Sequence, residues 1–71
     1  MTYKEAAAFK MPFGKHAGRT LDAIATEDAG LTYLDWLRGE RAAKDKNYDI
    51  DKALQAYLND PSIKKELAAL L

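Results

Sequence analysis

The stretch FKMPFGKHAGRT, residues 9–20, decides the predicted fold, because its first half alternates in the manner of a strand. The apolar residues Phe9, Met11 and Phe13 are separated by Lys10 and Pro12. A period of two is typical of a half-buried strand. Because proline cannot donate to a β-ladder, the strand is expected to lie at an edge or to leave the N–H side of Pro12 unpaired, with its three apolar side chains facing the core.

The second half of this stretch has the composition of a turn. GKHAG, residues 14–18, begins and ends with glycine, which readily adopts the positive φ of tight connections. Arg19 to Leu21 then form the returning strand, so the sequence predicts a β-hairpin over about residues 8–22. A two-stranded hairpin is marginal in water by itself, and this one must therefore pack on helices.

The rest of the chain predicts helices, because its apolar residues recur at helical spacing. Three are expected, over about residues 29–42, 49–59 and 61–70. The expected N-cap residues are Asp28 or Thr32 for the first of these helices, Asp49 for the second and Asp60 for the third, which Pro61 follows in the first turn. The predicted fold is therefore α+β: a small single domain, residues 1–71, with an N-terminal β-hairpin packed on about three α-helices.

Two large side chains are expected to anchor the core of this domain. Trp36 lies in YLDWL, residues 33–37, where leucines at helical spacing surround it. We predict that its ring spans helix and hairpin, and that Met11 is also a core residue. Apolar residues make up 48% of the sequence, so the chain can build such a core. A chain this short nevertheless buries only about 60% of the surface that its unfolded form exposes.

Composition and charge narrow the class of protein. No cysteine is present, and no stretch resembles a signal peptide or a membrane span, so we expect a cytoplasmic protein that does not contact the membrane. The net charge is zero, unlike the basic balance of many DNA-binding proteins. Residues 1–20 carry four basic residues against one acidic, whereas residues 21–40 carry one against five. A surface for an anion is therefore expected in the first third of the chain.

The sequence offers little from which to build a catalytic centre. There is no cysteine, the only histidine is His16, and no HExxH, GxSxG or P-loop motif is present. One histidine among scattered carboxylates is also a poor start for a metal site. We therefore predict no enzymatic activity, no catalytic residues, no metal and no cofactor.

The GKHAGR turn is the candidate binding site. Two glycines can let backbone N–H groups point outward together, and neighbouring cations add charge, a combination that holds a phosphate. The nucleic-acid-binding residues predicted on this basis are Lys10, Gly14, Lys15, His16, Gly18 and Arg19. Phe13 or Tyr3 is expected to stack on an exposed base. The alternative interpretation is structural, with glycines that shape the hairpin and lysines that keep its tip soluble.

This part of the chain resembles a small-domain family. MPFGKHAGRTLDAI followed by YLDWL is similar to the pattern FGK-x-x-G-(K/R)-x-L-x-x-I, a short gap, then YL-x-WL. That pattern occurs in the C-terminal module of exodeoxyribonuclease X-like exonucleases. It also occurs in stand-alone bacterial and phage proteins, some described as quorum-sensing-regulated virulence factors. The similarity covers about residues 9–38, and Ala17 stands where a second lysine is common in the family.

The resemblance implies an accessory module that helps to hold nucleic acid beside a catalytic domain. Our leading hypothesis is accordingly a non-catalytic accessory module that binds DNA or RNA through backbone phosphates at the GKHAGR turn. The alternative is a protein-interaction module, such as a small phage or bacterial adaptor or an inhibitor of a host enzyme, and the neutral net charge favours it. The partner is then nucleic acid, a nuclease or another protein, and the sequence indicates no oligomeric state.

Overall fold

The protein consists of five helices and one long loop. The structure is a computed structural model that describes residues 1–71. The helices are α1 (Tyr3–Ala7), α2 (Leu21–Ala25), α3 (Asp28–Ala43), α4 (Asp49–Leu58) and α5 (Pro61–Leu70). The long helix α3 packs against α2, α4 and α5, while α1 lies against α4. None of the helices has the length and apolar character needed to cross a bilayer.

The predicted β-hairpin is wrong, and the fold is all-helical rather than α+β. Within residues 8–22, the only β-pairing is one isolated antiparallel bridge between Lys10 and Thr20. Pro12 has no N–H with which to extend the first arm. On the second arm, the Thr20 hydroxyl accepts a hydrogen bond from the Ala23 N–H (3.1 Å) and caps α2. The chain therefore turns into a helix directly after the bridge, and no strand can follow.

Neither α1 nor α2 is among the predicted helices. At the start of α1, the Thr2 hydroxyl accepts a hydrogen bond from the Glu5 N–H (3.2 Å), and the Glu5 carboxylate accepts one from the Thr2 N–H (3.0 Å). This reciprocal arrangement is a capping box, and its sequence signal is the T-x-x-E pattern at residues 2–5. The helix packs on α4 and buries Ala6 completely.

The three longer helices begin and end within one residue of the predicted positions, but their caps differ. Asp60 caps α5 as predicted, since its carboxylate accepts a hydrogen bond from the Ser62 N–H (3.0 Å). Neither Asp28 nor Thr32 caps α3, because Asp28 is already its first residue and Thr32 lies farther along it. Asp49 is likewise the first residue of α4 and not its cap.

The core draws on every helix and on the loop between α1 and α2. Its buried apolar residues are Ala6, Met11, Leu21, Ile24, Leu31, Leu34, Leu37, Ile50, Ala53, Leu54, Tyr57, Leu58, Ile63 and Leu67. The burial of Met11 confirms that prediction. Phe9 is only half-buried and Phe13 is exposed, so these three residues do not form the buried face that their alternation predicts.

Trp36 is not a core residue, and that prediction is also wrong. Its side chain is 57% exposed. The buried stripe of α3 runs through Leu34 and Leu37. At 3.6 residues per turn, Trp36 lies about 200° around the helix from Leu34 and about 100° from Leu37. The leucine stripe fills the interface without it, and the indole ring remains on the surface.

An ion pair joins the end of α3 to the start of α4. The Arg41 guanidinium donates hydrogen bonds from Nε to Asp51 Oδ1 and from Nη2 to Asp51 Oδ2 (3.1 Å). Asp51 Oδ2 also accepts one from the Tyr48 N–H (2.8 Å), and Asp51 is only 8% exposed. These hydrogen bonds, that of Arg41 above all, hold the pKa of the Asp51 carboxyl below its ordinary value. The pair thus fixes the connection between α3 and α4.

Candidate functional site

All six predicted site residues lie in residues 9–20, which we call the 9–20 loop. Two backbone hydrogen bonds close its base, on either side of the isolated bridge. The Met11 N–H donates to the Arg19 carbonyl (2.8 Å), and the Leu21 N–H donates to the Phe9 carbonyl (3.0 Å). The loop therefore has a defined neck even though it is not a hairpin.

The backbone N–H groups at the tip of the loop divide into two sets. Gly14 and Gly18 have φ values of 77° and 85°, which confirms the predicted glycine turn. The Gly18 N–H donates to the Met11 carbonyl (2.9 Å) and is used inside the loop. By contrast, the N–H groups of Phe13, Gly14, Lys15 and His16 donate no hydrogen bond within the protein. These four consecutive donors have no partner within the protein.

The loop rests on α3 at two widely separated points. The His16 ring packs against Tyr33, with 5.3 Å between ring centroids. The Phe13 ring lies 5.2 Å from the Arg41 guanidinium carbon. Tyr33 and Arg41 are eight residues apart on the helix, a separation of about 12 Å along its axis. Two contacts this far apart orient the loop on the helix.

The basic side chains of the loop have different surroundings. Arg19 Nη2 donates to the Ala23 carbonyl (3.2 Å), and Arg19 Nη1 lies 3.3 Å from His16 Nδ1. Arg19 therefore ties the tip of the loop to α2 while remaining exposed. Lys10 and Lys15 are exposed and have no carboxylate partner, since both ion pairs of the protein involve other residues. The structure thus brings His16 and Arg19 together and leaves Lys10 and Lys15 unpaired on the same loop.

Two aromatic residues of α3 extend this site, and neither is among the predicted site residues. The Tyr33 ring lies 5.9 Å from the Trp36 ring, at an interplanar angle of 32°. Together with His16 they form what we call the ring row: His16, Tyr33 and Trp36. Residues three apart share one face of a helix, so the YLDW spacing is a signal for this pair. Their place next to the basic loop has no signal in the sequence.

The rings that were expected to meet a base each contact another side chain of the protein and remain partly exposed. Phe13 covers the Arg41 guanidinium, and Tyr3 stacks on Tyr57 with 5.4 Å between centroids. The Tyr57 hydroxyl donates to Asp22 (3.1 Å). Burial first, and then this hydrogen bond, raise the pKa of Tyr57 well above its ordinary value. The Tyr3–Tyr57 pair is therefore a structural contact between α1 and α4.

A second surface adjoins the loop and is largely apolar. It is an open groove of about 680 Å³ lined by Phe9, Pro12, Phe13, Arg41, Asn47, Tyr48, Asp49 and Ile50. Tyr48 is the most exposed of its rings, at 64%. The Arg41 guanidinium lies near both Phe13 and Tyr48, at 5.2 and 5.8 Å from the ring centroids. We call this surface the aromatic groove.

The surroundings of His16 show what the only histidine of the chain can contact. The nearest groups to His16 are the Arg19 guanidinium and the Tyr33 ring, neither of which is a carboxylate that could orient it as a base. No three His, Asp or Glu side chains lie close enough together to share a metal ion. No family model, curated protein or solved structure matches this chain.

Proposed function

We propose that this chain is a non-catalytic module that binds nucleic acid through backbone phosphates at the 9–20 loop. One observation carries the proposal: the 9–20 loop holds four consecutive unpaired N–H groups, at residues 13–16, and two unpaired ammonium groups, that of Lys15 at its tip and that of Lys10 at its neck. Clustered N–H donors and cations of this kind bind phosphate oxygens. The resemblance to the module of exodeoxyribonuclease X-like exonucleases supports the same ligand.

The zero net charge of the chain is compatible with a small phosphate site. The acidic residues are concentrated in 21–40, but Asp35 in this segment is paired with Arg38 (2.6 Å). Each phosphate contact contributes about 0.9 to the slope of log K against log salt for duplex DNA, and about 0.7 for single strands. With few contacts, binding is expected to be weak, independent of sequence and sensitive to salt.

The Lys10→Ala/Lys15→Ala double variant is expected to bind labelled DNA or RNA about tenfold more weakly at low salt, and its salt slope is expected to fall by about 1 to 2. The reason is the loss of two cations that contact phosphates. Both side chains are exposed and unpaired, so the fold is expected to survive. Fluorescence anisotropy titrations at several salt concentrations measure both quantities.

A matched control removes the same charge from another element. Lys64→Ala/Lys65→Ala on α5 replaces two exposed lysines and is expected to change the affinity by less than about twofold. Equal weakening by the two double variants would mean that total charge, and not the loop, governs binding. A wild-type chain that binds no nucleic acid even at low salt would refute the proposal.

The aromatic groove favours a second candidate function, that of a protein-interaction module. Exposed aromatic side chains are enriched at protein interfaces, and here Phe13 and Tyr48 line a surface to which Phe9, Pro12 and Ile50 add apolar area. The Arg41 between them is already paired with Asp51, so Asp49 is the one unpaired charge in the lining of the groove. A partner for this surface would be another protein with an apolar anchor, as in an adaptor or an inhibitor of a host enzyme.

A Tyr48→Ser variant tests this second candidate. The wild-type chain is expected to retain a protein partner from lysate after nuclease digestion, and the variant is expected to lose it, because the most exposed ring of the groove is gone. The Tyr48 hydrogen bond to Asp51 is made by the backbone N–H and stays in place. Retention of the same partner by both proteins, or loss of all partners on nuclease treatment, would exclude the groove as an interface.

A further inference from the structure

Trp36 is a large aromatic side chain that the fold leaves uncovered without a structural need. It is 57% exposed, and α3 packs on its neighbours through the leucine stripe. An exposed indole offers a flat apolar face on which any nucleobase can stack. We propose that Trp36 is a stacking platform for one base of a single-stranded nucleic acid. This inference rests on the proposed function, and it defines which form of nucleic acid the loop binds.

The ring row connects this platform to the phosphate site. The two centroid distances, 5.3 Å from His16 to Tyr33 and 5.9 Å from Tyr33 to Trp36, place the indole within about 11 Å of the His16 ring. His16 belongs to the turn that carries the unpaired N–H groups. A base on Trp36 is therefore close enough for a neighbouring phosphate of the same strand to reach the loop tip.

A duplex cannot use both features in the same way. Its bases are stacked on one another, and exposing the face of one of them requires unstacking the helix. Trp36 lies on an ordinary helix surface, next to Tyr33, and does not line the aromatic groove. Nothing in this arrangement resembles a wedge that forces base pairs apart. A single strand presents free base faces at no such cost, so stacking on Trp36 favours it over a duplex.

The charges around Trp36 determine the path that a bound nucleic-acid strand follows on the surface. Asp35 is paired with Arg38, whereas Glu40, one helical turn beyond Trp36, is exposed and has no cationic partner. Phosphates are therefore repelled from the C-terminal side of the indole and attracted towards Lys15 on the loop. The strand is expected to run from Trp36 over Tyr33 to the tip of the 9–20 loop.

The only tryptophan of the chain serves as its own probe. Oligothymidylate and oligouridylate are expected to quench Trp36 fluorescence, and the wild-type chain is expected to bind them about tenfold more tightly than a duplex of equal length. In anisotropy titrations, Trp36→Leu is expected to lose that preference by binding single strands about tenfold more weakly. Trp36→Phe keeps a ring and is expected to retain most of the affinity. Because the residue is exposed, both variants are expected to keep the wild-type circular dichroism spectrum.

Two outcomes would overturn the inference: equal affinity of the wild-type chain for single strands and duplexes, or unchanged single-strand binding by Trp36→Leu. If binding in either case still falls in the Lys10→Ala/Lys15→Ala variant, the proposed function stands and the stacking role alone fails. If neither form of nucleic acid binds at low salt, the proposed function fails with it.

Discussion

Replacing Gly30 with alanine is expected to destabilise the protein by about 3 kcal/mol or more, which is a large part of the roughly 4 to 10 kcal/mol expected for a domain of this size. Gly30 is buried in the first turn of α3, where the helix crosses the end of α2. An alanine Cβ there would overlap the carbonyl oxygen of Ile24 and lie 2.9 Å from its carbonyl carbon. Because these are backbone atoms, no side-chain rotation can relieve the overlap, and the two helices must separate.

The same helix offers a matched control. Gly39 also lies inside α3, but it is exposed and an added Cβ would meet nothing within 4 Å. Gly39→Ala is expected to stabilise the protein by about 1 kcal/mol through the higher helix propensity of alanine. Urea unfolding followed by far-UV circular dichroism measures both changes. If Gly30→Ala were as stable as the wild type, the close packing of α2 on α3 would be wrong.

Replacing Asp51 with asparagine is expected to cost about 3 kcal/mol of unfolding free energy. The neutral amide cannot compensate the positive charge of the Arg41 guanidinium, which is partly buried and has no other carboxylate partner. The substitution also turns a charged acceptor for the Tyr48 N–H into a weaker one at the start of α4. Denaturant unfolding of the wild type and the variant at neutral pH measures the difference.

Asp35→Asn is the control for this second prediction, because it removes the same charge from the other ion pair. The Asp35 and Arg38 side chains are 30% and 26% exposed and lie one helical turn apart, so a loss of only about 0.5 kcal/mol is expected.

The pH dependence of stability provides a further check on Asp51. Its pKa in the folded protein is below the ordinary 3.8, so its stabilising effect is present above that pH and disappears as the pH falls further. The gap between wild type and Asp51→Asn should therefore close below about pH 4; a gap that stays constant with pH would contradict the ion-pair explanation.

Part of the candidate site could be predicted from the sequence. The glycines of GKHAG and the charges of Lys10 and Lys15 are local features, and the structure places all of them on one exposed loop. Which N–H groups are free could not be predicted, because it depends on the Gly18 hydrogen bond to Met11. The contribution of Trp36 could not be predicted either, since it depends on which side of α3 the core covers.

The sequence by itself determined the three longer helices and the start of α5. Their apolar periodicity extends over ten or more residues, and Asp60 with Pro61 gives a local start signal that needs no distant partner. Only the tertiary structure decided the state of residues 9–20. An apolar alternation over five residues is compatible with a strand, and it is equally compatible with a loop that buries only Met11. Which of the two forms depends on hydrogen-bond partners and surfaces elsewhere in the chain. Here the Thr20 cap turned the second arm into a helix, and α3 supplied Tyr33 and Arg41 as the surface on which the remaining loop rests.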